Sequence, residues 1–149
     1  MSTLNGYGPR TWQHKTKLDG NVLNGDDDLF IIKGGPIIVV EFYGIVTTVI
    51  GGAADCTIQE AVAEPAGDVA LSTTVAIDND AAGTSYTFTS VALPVLTPTT
   101  AGALPNLPEV RWLCPIGTIQ ALCSAAQTGV IEWHMAYIPS VHAEVTVAA

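Results

Sequence analysis

The stretch Ile37-Ile38-Val39-Val40-Glu41-Phe42-Tyr43-Gly44-Ile45-Val46-Thr47-Thr48-Val49-Ile50 decides the fold class. It is dense in β-branched and aromatic residues, which suit a pleated, packed surface, so it reads as strand and not helix. Its first half is apolar on both faces, which places it centrally in a sheet covered on both sides. Gly44 predicts a bulge or bend that lets so long a strand twist. Broken by Glu41 and Gly44, the run from Pro36 to Ile50 is too short to span a bilayer.

The same texture continues on either side. Leu29 to Lys33 reads as a strand stopped by Gly34-Gly35-Pro36. Strands are expected over Cys56 to Ala63, Val69 to Ile77, Ser85 to Val91, Glu109 to Cys114 and Thr118 to Cys123. Gln59 to Ala66 is compatible with a turn of helix, and the proline-rich Pro94 to Pro108 reads as a long loop or wall. In Val130 to Ile138 the alternation is clean: Ile131, Trp133, Met135 and Tyr137 face one way, Val130, Glu132, His134 and Ala136 the other. Ala143 to Val147 is placed at a sheet edge. Short strands punctuated by Gly, Pro and Asn turns make the chain all-β, an antiparallel β-sandwich or jelly-roll-like barrel, here residues 29–149.

Residues 1–28 differ. They hold Gly6, Gly8, Pro9, Gly20 and Gly25 and show neither strand nor helix period, so they read as an extended N-terminal arm closed by the turn Asn24 to Asp28. Four of the five basic residues, Arg10, Lys15, Lys17 and Lys33, lie in the first 33 positions, whereas Gly34 to Ala149 carries Arg111 alone against ten acids. An acidic, apolar body with a polar leader suits a module that docks by its arm. Tyr7 and Trp12 are its candidate anchors, with Arg10, Lys15 and Lys17 as further partner-binding candidates. The layout argues against a nucleic-acid partner, which needs a basic face, and against an anionic membrane surface. Charged residues make up only 13% of the chain and apolar ones 48%. So few charges leave few solvated faces and favour association, including with copies of the same chain. Met1 to Gly6 lacks the apolar core of a secretory signal. Cys56, Cys114 and Cys123 are an odd set, which points to a reducing cytoplasm during folding.

Motifs that carry chemistry are sparse. The chain has no P-loop, no Gly-x-Gly-x-x-Gly, no His-Glu-x-x-His and no Gly-x-Ser-x-Gly, and no cofactor is expected. A zinc set of Cys123, His134 and His142, or a Cys123–His134 nucleophile pair, has no supporting spacing. Asp26, Asp27 and Asp28, and likewise Asp78 and Asp80, read as solvated turns and not as calcium loops. Glu41 and Glu132 are conceivable as paired glycosidase acids only if the fold sets them across a cleft. Cys114 and Cys123 flank a short turn, where they are buried apolar residues or a disulfide formed after release into an oxidising medium. No enzyme is expected.

Four segments together carry a resemblance: Asp27-Asp28-Leu29-Phe30-Ile31-Ile32-Lys33-Gly34-Gly35-Pro36-Ile37, Pro115-Ile116-Gly117-Thr118-Ile119, Thr128-Gly129-Val130-Ile131-Glu132-Trp133 and Ala136-Tyr137-Ile138-Pro139. Over about residues 26–149 the chain resembles small all-β virion proteins of tailed bacteriophages, most of all capsid cement or decoration proteins. The resemblance implies a homotrimer on the capsid exterior, assembled in the host cytoplasm, which bridges major capsid protein subunits against the pressure of packaged DNA. The alternative within the same class is a tail, fibre or head-spike module that binds a host receptor.

Overall fold

The computed structural model describes residues 12–22, 25–88, 96–103 and 110–149. Among these residues twelve strands follow one another: β1 (Gln13–Asn21), β2 (Gly25–Lys33), β3 (Ile37–Thr48), β4 (Asp55–Val62), β5 (Gly67–Ala70), β6 (Val75–Ala76), β7 (Ser85–Phe88), β8 (Leu96–Thr99), β9 (Trp112–Cys114), β10 (Gly117–Cys123), β11 (Val130–Pro139) and β12 (Glu144–Val147). They form two antiparallel sheets with no helix among the described residues. Sheet A runs β1-β11-β3-β7-β8, with β9 beside the other end of β3; sheet B runs β12-β2-β10-β4-β5, with β6 beside β4. The order β1-β11-β3-β7 facing β2-β10-β4-β5 is that of a jelly roll. The chain passes from one sheet to the other at each of the first three connections, then returns to pair with its own first half.

The sandwich closes on the apolar faces of both sheets. Trp133 lies at the centre, its ring 5.7 Å from Phe42 and 6.3 Å from Tyr86. Leu29, Phe30, Ile58, Ile119, Met135 and Tyr137 complete the layer around it. The alternation read in β11 holds: Ile131, Trp133, Met135 and Tyr137 are all buried. The outer face of sheet B is polar instead. There Gln120 Nε2 donates to Asp28 Oδ1 at 2.7 Å, and Gln59 Nε2 donates to Gln120 Oε1 at 3.0 Å and to Asp26 Oδ1 at 3.2 Å.

Several expectations are corrected. The arm does not extend to residue 28: residues 13–21 are β1, paired with β11 from Gln13↔Tyr137 to Asn21↔Val130, and residues 25–28 open β2. The aspartates there alternate as a strand requires, Asp26 and Asp28 outward on the glutamine ladder. The run Val69 to Ile77 is two strands, because Leu71 and Ser72 both donate their N–H to Ile58 O while Ser72 Oγ accepts from Ile58 N, replacing the ladder with a side chain. Gln59 to Val62 is strand, and no helical turn forms at 59–66. Pro94 to Pro108 contains β8. The bulges of β3 fall at Val40 and Thr47, where the pairing with β11 skips a residue, and not at Gly44. Gly34 makes the turn into β3 at φ +76°, and a Cβ there would meet His142 O at 2.1 Å.

Candidate functional site

The outer face of sheet A carries the concentration of aromatic, ionisable and exposed apolar side chains. Register builds it row by row. Thr16, His134 and Tyr43 lie side by side on β1, β11 and β3. His14, Ala136 and Glu41 form the next row, and Leu113, Ile38 and Ile138 align across β9, β3 and β11. One position before the Gln13↔Tyr137 pair, Trp12 carries that last row onto the β1 side. Leu113 is 73% exposed and Trp12 51%, while Ile38 and Ile138 are half-buried.

The polar rows are tied together. The Tyr43 ring stacks on His134 at 4.6 Å and 8° between planes, and the His14 ring lies 5.3 Å away. His134 Nδ1 is 3.2 Å from Thr16 Oγ1, and Nε2 is 2.6 Å from Glu132 Oε1, a close contact without hydrogen-bond alignment. Burial lowers the His134 pKa against the pull of Glu132. Burial also raises the Tyr43 phenol, and the carboxylates Glu41 and Glu132 push it the same way. Glu41 and Glu132 therefore share this face, on either side of Tyr43 and not across a cleft. The arrangement is a packed platform: the imidazole is bonded at Nδ1, and its neighbours are rings, carboxylates and a threonine.

The candidates of the N-terminal segment separate. Tyr7 and Arg10 lie outside the described residues. Trp12 is exposed at the end of the apolar row. Lys15 is half-buried on β1 opposite Met135. Lys17 is not a partner contact. It is buried, and its Nζ donates to Ala148 O at 2.8 Å and Ala149 O at 3.1 Å. A lysine opposite Trp133 points into the sandwich, and its ammonium finds carbonyl oxygens beyond β12 and the carboxylate of Asp27 nearby. It thus fastens the edge of sheet A to the edge of sheet B.

The chemistry weighed for the cysteines is rearranged as well. Cys123 points into the core from sheet B and His134 outward from sheet A, so neither the zinc set nor the nucleophile pair is brought together. No three His, Cys, Asp or Glu side chains cluster as metal ligands among the described residues. Cys123 lies opposite Cys56, not Cys114. Cys114 instead shares a hydrogen bond with the buried Glu60, whose carboxyl is pushed up to about 7 chiefly by burial. A cleft of about 270 Å³ lies elsewhere, lined by Asn79, Asp80, Ala81, Thr84, Pro98 and Thr100 among others. Its carboxylate, Asp80, already accepts the Tyr86 hydroxyl.

The chain matches no protein-family model, no curated protein and no solved structure. What the site can do therefore rests on its own geometry. Leu113 joins the row by strand alternation: Trp112 packs inward against Phe88 at 4.9 Å and Cys114 is buried, so Leu113 turns outward. That it aligns with Ile38 and Ile138 follows only from the pairing register.

Proposed function

We propose that the chain is a structural virion protein of a tailed bacteriophage, a capsid cement or decoration protein that forms a homotrimer on the head exterior and bridges major capsid protein subunits. The observation that carries the reading is the row Trp12, Ile138, Ile38 and Leu113, an apolar stripe exposed on the outer face of a sheet in a chain otherwise poor in charge. Such stripes mark surfaces that a partner covers. Covering roughly 400 Å² of apolar surface is worth about 10 kcal/mol gross. That is comparable to the roughly 4–15 kcal/mol cost of association. Burial of the row between protomers is therefore a modest contact, and the trimer it builds gains strength by engaging several capsid subunits at once. The jelly roll is compatible with this role, since capsid and lectin domains use it, but fold alone assigns no function.

The reading is tested by sedimenting the full chain with empty heads built from the major capsid protein of the phage that encodes it. Full-length protein should co-sediment in stoichiometric amounts, and Leu113→Asp should lose binding while staying folded. Equal binding by Leu113→Asp, or none by the full-length chain, would count against it. Deleting residues 1–11 tests Tyr7 and Arg10 without cutting β1. A receptor-binding tail, fibre or head-spike module is the second reading, favoured by the polar cleft around Asn79, Asp80, Thr84 and Thr100. It predicts binding to host-surface glycans, which a cement protein lacks.

A further inference from the structure

The register of sheet B sets Cys56 on β4 directly opposite Cys123 on β10. Opposed residues of an antiparallel pair have Cα atoms about 4.5–5.5 Å apart. That separation lies within the span of a disulfide. Both side chains are buried, and their sulfurs share a hydrogen bond at 3.4 Å. Beside them is a cavity of about 10 Å³, bordered by both cysteines, Asp27, Ala121 and Trp133. That is space for one molecule about the size of water. The third cysteine, Cys114, is on β9 of sheet A, engaged with Glu60.

We infer that Cys56 and Cys123 are an oxidative modification site: a small peroxide converts the pair to a disulfide within the folded protein and so joins β4 to β10 across sheet B. The hydrogen bond between the thiols lowers the pKa of Cys123 against its burial and the charge of Asp27, and raises that of Cys56. Cys123, 4% exposed against 1% for Cys56, is the attacking sulfur of this proposal. Its thiolate attacks one peroxide oxygen, the O–O bond breaks, and hydroxide leaves and takes a proton, leaving a sulfenic acid. The Cys56 sulfur then attacks the sulfenic sulfur. The S–S bond forms, the S–O bond breaks and water departs with the Cys56 proton. In sum, two thiols lose two electrons and two protons, and hydrogen peroxide becomes two waters. The cavity leaves water-sized space against the sulfurs, and the facing register puts them within reach of each other. A link between strands so far apart in sequence constrains the unfolded chain strongly and raises the unfolding midpoint by about 10 °C. The inference stands apart from the virion reading, since it rests on the core of sheet B alone.

The test treats the folded full chain with hydrogen peroxide, then denatures it, alkylates free thiols and reads the mass and the linked peptides. Untreated protein should take up three alkyl groups, one per cysteine. Treated protein should take up one, on Cys114, and dithiothreitol should restore all three. Cys114→Ala should go from two to none. Cys56→Ala should form no internal link and should add oxygen at Cys123. Three alkylatable thiols after treatment, or a link containing Cys114, would overturn the inference. The thiol count on the unsubstituted chain decides the matter even where a variant does not fold.

Discussion

Gly44 offers the sharpest test of how the core is built. It sits on β3 between Trp133 of β11 and Tyr86 of β7. A Cβ at this position would lie 2.6 Å from Cζ3 and 2.7 Å from Cε3 of Trp133, and 3.0 Å from Cγ2 of Ile131. The indole cannot swing away freely, because it is buried and bounded by Phe42 and Tyr86. Two effects oppose each other in Gly44→Ala. Removing a strand glycine restricts the unfolded chain and stabilises by roughly 0.5–1 kcal/mol. Overpacking a filled core costs about 1–3 kcal/mol. Contacts this short, with rigid ring atoms, put the cost at the upper end, so the variant should lose about 1–2 kcal/mol. For a domain of this size that lowers the midpoint by about 2–8 °C. Thermal unfolding followed by tryptophan fluorescence, at one protein concentration because association also shifts the midpoint, reads the change. In a Trp133→Phe background the benzo ring is gone and Gly44→Ala should cost less; the difference measures the coupling. A Gly44→Ala protein as stable as the parent would refute the claim that this glycine makes room for the indole.

Other consequences are as direct. Lys17→Met strips the carbonyls of Ala148 and Ala149 of a charged donor, and should cost about 2–3 kcal/mol in urea unfolding; an unchanged midpoint would return Lys17 to the pool of partner contacts. Glu60 is 2% exposed, and its carboxyl stays protonated to about pH 7 in the fold against an ordinary value of 4.5. Between those values the folded protein holds a proton that the unfolded chain has lost, so stability should fall as pH rises from about 4.5 through 7, by on the order of 2–3 kcal/mol. Glu60→Gln should flatten that slope, and an equally steep profile in the variant would exclude Glu60 as its source. Trp12→Ala should change stability by less than about 0.5 kcal/mol while weakening association, because its ring is on the surface.

The sandwich was legible because β3 and β11 carry strong strand signals: β-branched density in one, unbroken alternation in the other. The edge strand β1 was not, since its inward positions are Gln13, Lys15 and Lys17 and so show no apolar period. Each is accommodated by a partner or position that only the fold supplies, such as Tyr137, whose hydroxyl donates to Gln13 Oε1 at 2.9 Å. The acids of β2 misled for the same reason: three aspartates in a row resemble a turn, and the glutamines that hold two of them stand 33 and 92 positions away. At the candidate site, Trp12 was readable as an aromatic of the N-terminal segment, and it is exposed. The platform of His14, Thr16, Tyr43 and His134 was not, because it joins three strands whose register no local pattern encodes. The Cys56–Cys123 pair was hidden likewise, and sequence proximity favoured Cys114 as the partner.

In the function proposed, the apolar row on sheet A is the surface through which this chain associates. Light scattering on a sizing column, with the full chain and Leu113→Asp side by side, tests it most directly. The parent should run at three times the 15.5 kDa chain mass and the variant should shift toward 15.5 kDa. A parent that stays at 15.5 kDa across concentrations, or a variant that keeps the parent's mass, would contradict it.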